Sequence, residues 1–440
     1  MLLEARAVIE GGTKISDDEA TRVGQAAGQQ LWKLAKAAGG LENESHSEKL
    51  RDMRAALKSI QKSRPITSLT RKADTPLDDI FFSLYWVLGL IDDAFVVAAR
   101  GGSDIGFGKA LPAKTEVVKT LLTGFDPFNV SDVSKAPRKG EWNPSGAAVM
   151  ALDGERIPAD KGVIAAVEGI VLPVDFYEFK SSLVEKMVKP YASEVDAVIT
   201  VSLDASLAEK PVRLERYAVG VHQLNNGVLE AIPAAEGGTT GPAIIENNAP
   251  LDEIQAATEQ KATSTTKGIA KPDIGTKVYF VFDDDTVANR AIKALGSGTL
   301  MSSRGYSQGT MQIVDTKVIG SILAQIGGKS GPAIEFKAAG QKFTAKVLEG
   351  PGGNFLSNEV SFRMLRLLAE TKSPKDPFSF HVHTEGGGLI PQDTSTKEAA
   401  KKQKEAMSAA MTVRGTLIAT LRRMIAGVAK IIMGRRKTTP

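Results

Sequence analysis

The sequence predicts an α/β protein whose sheet contains parallel strand pairs, with helical segments added before and after it. Two observations predict this class. From Glu116 onward, short β-rich apolar runs alternate with a helical stretch, and hairpin signals are few; strand, helix, strand is the order of crossover connections. Before that point, and again after residue 397, apolar residues recur at helical rather than alternating spacing.

Taken in order, helices are expected at about 17–38, 45–63 and 77–100. The third carries Trp86 and the longest apolar run, Phe81–Ile91, which stops at Asp92 and Asp93 and is about half of what a membrane span needs. A Gly- and Pro-containing stretch at 101–114 reads as a linker. Val117, Val118, Leu121 and Leu122 form a strand that runs into TGFDPF. Strands follow at 163–174 and 196–203, with a helix at 177–191 between them. Residues 255–275 are poor in large apolar side chains and read as a surface loop, and 277–282 is a further strand. Asp283, Asp284 and Asp285 close that strand before a helix at about 287–295. Three acids there would suit Mg²⁺ in a haloacid-dehalogenase-like phosphatase, but that motif needs threonine four positions after the first aspartate, where Val287 stands; helix capping is expected instead. Residues 397–437 form a basic helix or helix pair with a stripe of Met407, Met411, Leu417, Leu421, Met424 and Val428.

Composition narrows the function classes. The chain has 440 residues and a net charge of +4, too small a surplus to imply a nucleic-acid partner. Cysteine is absent, which excludes disulfides, thiolate metal sites and thiol chemistry in the chain as written. The N-terminal MLLEARAVIEGG has no basic segment followed by an apolar core, so a cytoplasmic location is expected.

Ser357 is the most informative single residue. It follows the glycine-rich GPGGNFL and opens a helix with Val360, Met364, Leu367 and Leu368 on one face. A side chain at a helix start has free backbone N–H groups and the positive end of the dipole beside it. His381 lies 24 positions on, in FSFHVH, where Phe378, Phe380 and Val382 take one strand face and Ser379, His381 and His383 the other. A hydroxyl and an imidazole on rigid elements suit nucleophilic catalysis. A helix-capping serine and an unrelated strand histidine explain the same local pattern.

Four separated stretches, in order, resemble the pyroglutamyl-peptidase I (pyrrolidone-carboxylate peptidase) family. LLTGFDPFNV with NPS at 143–145 and ALDG at 151–154 looks like its amino-terminal signature. LPVDFY at 172–177 is similar to its second strand, and DAVITVSL with LERYAVGV to the segment bearing its catalytic glutamate. NFLSN and FHV stand where the family has its nucleophile and histidine segments, and the interval between them is the family's own. The resemblance covers about 116–395, apart from an apparent insertion near 255–318. It implies a three-layer α/β/α core with a mostly parallel twisted sheet. It also implies a hydrolase of the thiol-protease kind that removes an N-terminal 5-oxoproline, or a related blocked residue, from peptides. By position Ser357 would be the nucleophile, His381 the base and acid, and Glu215 the acid that orients it. Backbone N–H groups around Gly353–Ser357 would hold the oxyanion, and Phe125, Phe128, Phe355 and Val174 would line the pocket.

The departures matter as much. Serine replaces the family's cysteine, and a hydroxyl cannot be pre-ionised as a thiol can. A native serine and a serine put in place of a natural cysteine both fit the composition. Ser202–Ser206 replace a glycine-rich pocket segment, Val174 a threonine, and Glu230–Gly237 lack an arginine of the family's loop. A catalytically silent binding protein and a serine hydrolase with another acyl substrate are the alternatives. His381, His383 and Glu385 alternate as metal ligands can, yet no second ligand cluster is evident, so neither metal nor cofactor is expected. The expected organisation is a helical extension at 1–114, the α/β domain at 115–395 and a basic helical segment at 396–440. Expected partners are a peptide substrate and, as for this family, a second copy of the chain. The basic C-terminal helix is expected to pack on the core or a partner subunit, with an anionic membrane surface as the alternative.

Overall fold

A computed structural model describes residues 16–37, 48–56, 77–103, 105–107, 115–127, 141–204, 212–223, 229–235, 238, 240–259, 273–274, 278–296, 298–302, 312–316, 320–327, 331–350, 355–373, 375–386, 388–391 and 393–438. In chain order the elements begin with α1 (Asp17–Ala37), α2 (Leu77–Ala99), β1 (Glu116–Phe125), α3 (Pro144–Leu152), β2 (Arg156–Asp160) and β3 (Val163–Leu172). Next come α4 (Leu183–Val188), β4 (Ala197–Leu203), β5 (Val212–Glu215), α5 (Leu251–Thr258), β6 (Asp273–Ile274), β7 (Val278–Phe282) and α6 (Asp285–Leu295). Besides shorter pieces, there follow β8 (Thr299–Ser302), β9 (Gln312–Thr316), α7 (Gly320–Ile326), β10 (Gly331–Ala338), β11 (Gln341–Glu349), α8 (Leu356–Thr371), β12 (Phe378–Thr384) and α9 (Lys397–Thr438).

The main sheet has seven strands in the order β6-β5-β12-β4-β1-β3-β2. β12, β4, β1 and β3 run parallel to one another, while β5 and β2 pair antiparallel at either side. The protein is therefore the expected mixed α/β class. Side chains alternate across the sheet, and each face meets its own helices. Val118, Leu122, Val167, Ile199, Val201, Leu214, Phe380 and Val382 join one apolar cluster with α3 and α9. Leu121, Phe125, Ile170 and Val198 join another with α4 and α8. On that second face the apolar character stops at β4: Thr200, Ser202, Glu215, His381 and His383 follow, all buried.

The C-terminal stripe is one unbroken helix, α9, of 42 residues. Leu417, Leu421, Met424, Ile425 and Val428 are buried against the sheet, and Met411 is 53% exposed. Trimming one methylene there, Ile425→Val, should cost about 0.5–1.5 kcal/mol in urea unfolding; no change would mean that the helix does not pack on this core.

The two N-terminal helices pack into the same body. α1 packs tightly along α2, and a Cβ added at Gly24 would lie 2.3 Å from the Ile91 carbonyl oxygen. Trp32 donates its indole N–H to Asp153 at 3.1 Å, and Lys36 Nζ lies 2.6 Å from the same carboxylate oxygen. Arg100, just beyond α2, is paired with Asp126 at 2.5 Å, both fully buried.

Several boundaries differ from expectation. The helix expected at 177–191 is broken into Phe176–Lys180, α4 and a 3₁₀ turn at Lys189–Tyr191, with Ser182 in the left-handed region at φ 60°. The stretch 255–318, expected as an insertion, falls on several elements. Its start is taken by α5, β6 returns to the main sheet, and a separate antiparallel sheet, β8-β9-β7-β11-β10, runs on to Glu349. α6 and α7 cover one face of this sheet. Tyr279, Val281 and Leu348 on its other face pack against Tyr217, Val219 and Val221 of the main body.

Candidate active site

TGFDPF and NPS meet because they hold each other's backbone. Asn143 caps α3, accepting from the Ser145 N–H at 3.1 Å and hydroxyl at 2.7 Å. Its amide donates to the Asp126 carbonyl at 3.0 Å, while the Ser145 hydroxyl accepts from the Phe125 N–H at 3.0 Å. At Gly124 a Cβ would lie 2.5 Å from the Ser145 carbonyl oxygen, so only glycine fits. The segment's signature is thus a locked strand-to-helix junction. Phe125 is buried and stacked 6.2 Å from Phe179, and the partly buried Val174 packs against the same cluster. Phe355, at the N-cap of α8, is 52% exposed. Phe128 and Gly353 lie outside the described residues.

Ser357 is the second residue of α8 and half-buried. Among the described residues no hydrogen bond joins it to either strand histidine. The helix start is fastened by its neighbour Asn358, which accepts from Val219 N–H and donates to the Val219 and Val221 carbonyls, each at 2.8 Å. Glu359 and Arg363 continue inward to a fully buried ionic network. Arg363 donates to Glu359 and Glu185 at 2.8 Å, Arg366 to Glu185 at 3.1 Å, and Glu359 lies 2.7 Å from His222 Nδ1. Burial works to lower the Arg363 pKa, yet the two carboxylates hold it above its ordinary value.

The histidines and Glu215 do meet, in an arrangement that corrects the expected one. β12 and β5 pair antiparallel with His381 opposite Glu215, but the carboxylate contacts His383 Nε2. His381 is held instead by two hydroxyls of β4, Thr200 on Nδ1 at 2.6 Å and Ser202 on Nε2 at 2.8 Å. Ser202 also reaches His383 Nδ1 at 3.1 Å, and the two rings stand edge to face 4.7 Å apart. Glu385, the sequence's third alternating residue, falls beyond the end of β12.

One proton sets the direction of this chain. If the close contact of His383 Nε2 with Glu215 carries the ring proton, His383 Nδ1 accepts from Ser202. The Ser202 hydroxyl has then spent its only proton, so His381 donates to it from Nε2 and accepts from Thr200 at Nδ1. His381 itself stays neutral, because full burial lowers its pKa to about 3; His383 lowers it further and Glu215 opposes. Thr200 and Ser202 were legible as hydroxyls two apart in the otherwise apolar AVITVSL, a signal that the family comparison alone obscures.

Asp284 caps α6, accepting from the Thr286 and Val287 N–H groups at 2.6 and 3.0 Å, as the acidic strand end predicts. Among the described residues no helix is long and apolar enough to cross a membrane.

Residues 119–270 match the family model described as PA0049, C-terminal domain. The uncharacterized protein PA0049 of Pseudomonas aeruginosa is 32% identical over 116 residues, which are 24% of this chain and 21% of that protein. The chain thus spans about a fifth of the length of the curated relative that it matches. Among solved structures, a mutant pyrrolidone carboxyl peptidase from Pyrococcus furiosus is 20% identical, with 67% of this chain and 97% of that one covered at a TM-score of 0.31. Pyroglutamyl peptidase I from Bacillus amyloliquefaciens is 16% identical, with 67% and 95% covered at the same TM-score. These superpositions are loose.

Proposed function

We propose that the chain is a pyroglutamyl-peptidase-like hydrolase, built on a three-layer α/β/α core, that releases a 5-oxoprolyl or related blocked residue from the amino end of a peptide. The observation that carries this reading is the buried polar group of Glu215, His381, His383, Thr200 and Ser202, on the sheet face that α8 covers, with Ser357 in the first turn of α8. In this reading the Ser357 oxygen attacks the amide carbon while His381 takes its proton. The tetrahedral intermediate then collapses, His381 protonates the leaving amine, and water cleaves the resulting ester by the reverse route. His381 must first release one of its hydroxyl partners, and Thr200 has a second acceptor in the Phe380 carbonyl at 3.5 Å. Glu215 acts on His381 through its field and, by contact, through His383 and Ser202.

One observation favours a second reading, a silent descendant that uses the cleft for binding. Both nitrogens of His381 are already satisfied, as they would be in a purely structural network. Replacement of Ser357 separates the two. Ser357→Cys, a thiol at a helix start, is expected to raise cleavage of a chromogenic 5-oxoprolyl amide on the order of 100-fold over the serine form. His381→Gln should remove the activity of both. No cleavage by either form would leave the binding reading.

A further inference from the structure

Glu215, His381 and His383 have a second chemical capacity. Each presents one ligand atom such that all three lie within 4.8 Å of one another. They come from two paired strands, β5 and β12, so backbone hydrogen bonds rather than a loop hold their spacing. A Zn²⁺ tetrahedron of nitrogen and oxygen ligands has edges of about 3.3 Å, so side-chain adjustments of an ångström or so would bring the three atoms onto one ion. Two imidazoles and one carboxylate suit zinc and neighbouring late divalent ions, whereas Mg²⁺ and Ca²⁺ take oxygen ligands. The outer partners are in place too. Thr200 faces Nδ1 of His381 at 2.6 Å and Ser202 faces Nδ1 of His383 at 3.1 Å. On ion binding both rings would take the Nδ1–H tautomer, opposite to the resting one; the two hydroxyls then accept from Nδ1–H and both Nε2 atoms become ligands, the second-sphere pattern that fixes a metal-bound tautomer.

We propose that Glu215, His381 and His383 bind one divalent ion of the Zn²⁺ class through both Nε2 atoms and a Glu215 oxygen. Ser202 gives up its bond to His381 Nε2 and keeps the one to His383. Binding needs no contribution from Ser357 and stands apart from the acyl-transfer reading. Only one consequence rests on that reading: an ion on His381 occupies the base and silences hydrolysis.

The test uses the full chain, stripped with a chelator, dialysed and titrated with Co²⁺. One Co²⁺ per chain is expected, with the intense visible bands of four- or five-coordination, displaced by Zn²⁺. His383→Gln and Glu215→Gln should each weaken binding by more than about 100-fold, above the loss typical of an outer-sphere partner. Ser357→Ala and His222→Gln should leave the bands unchanged. A wild-type chain that takes up no Co²⁺ overturns the proposal even where a variant fails to fold, and so do bands that persist in both ligand variants with native circular dichroism. A chain that binds Co²⁺ but never cleaves a 5-oxoprolyl amide keeps this inference and loses the hydrolase reading.

Discussion

Arg363→Met is expected to destabilise the protein by about 3–5 kcal/mol in urea unfolding at neutral pH. Arg363 is fully buried and its guanidinium is shared between Glu359 and Glu185, so removal leaves Glu185 with Arg366 and Glu359 with no guanidinium, only the His222 ring beside it. Methionine fills much of the same volume, which leaves the missing charge rather than a cavity as the cause. The cycle with Glu359→Gln is the internal check, because neutralising the stranded carboxylate should recover part of the loss. A loss below about 1 kcal/mol would mean that water reaches this network. The effect should also reach Ser357, two residues from Glu359, through the first turn of α8.

The second large effect is a loss of stability in acid that depends on His381. Its pKa is pushed down to about 3 in the folded chain from the ordinary value of 6.5. The unfolded chain therefore binds the extra proton between these limits and the folded chain does not. The contribution is fully present above about pH 6.5 and is lost as pH falls toward about 3, with a limiting slope of about 1.4 kcal/mol per pH unit. Carboxylates titrate over the same range, so the informative quantity is the difference between wild type and His381→Gln. That difference should shrink steadily as pH falls from 6.5, and a constant difference would contradict a neutral, desolvated His381. If His381 is the base, the acid limb of kcat/KM should likewise lie well below pH 6.5.

Much of this was readable from local pattern. The alternation in FSFHVH assigned each side chain to its correct face, because a strand has period two whatever it pairs with. The helical stripe of α9 and the acidic cap of α6 followed from equally local rules. The contact of Glu215 did not. Strand register puts it opposite His381, yet the side chain leans along the strand to His383, and no sequence pattern encodes that lean. The second sheet was missed for another reason. Phe343, Ala345 and Val347 alternate with Lys342, Thr344 and Lys346, and Ala339 and Gly340 form a tight turn with φ of 46° and 76°, so the hairpin signal was present but weak beside the flanking motifs. The His222–Glu359 contact joins residues 137 positions apart and has no local signature.

Covalent capture tests the central claim most directly. The full chain is incubated with an activated ester of 5-oxoproline, and the adduct is located by intact mass and peptide mapping. The acyl-transfer account predicts one adduct per chain on the peptide that contains Ser357, absent from Ser357→Ala and much slowed in His381→Gln. No adduct, or acylation confined to surface lysines and unchanged in both variants, would contradict it.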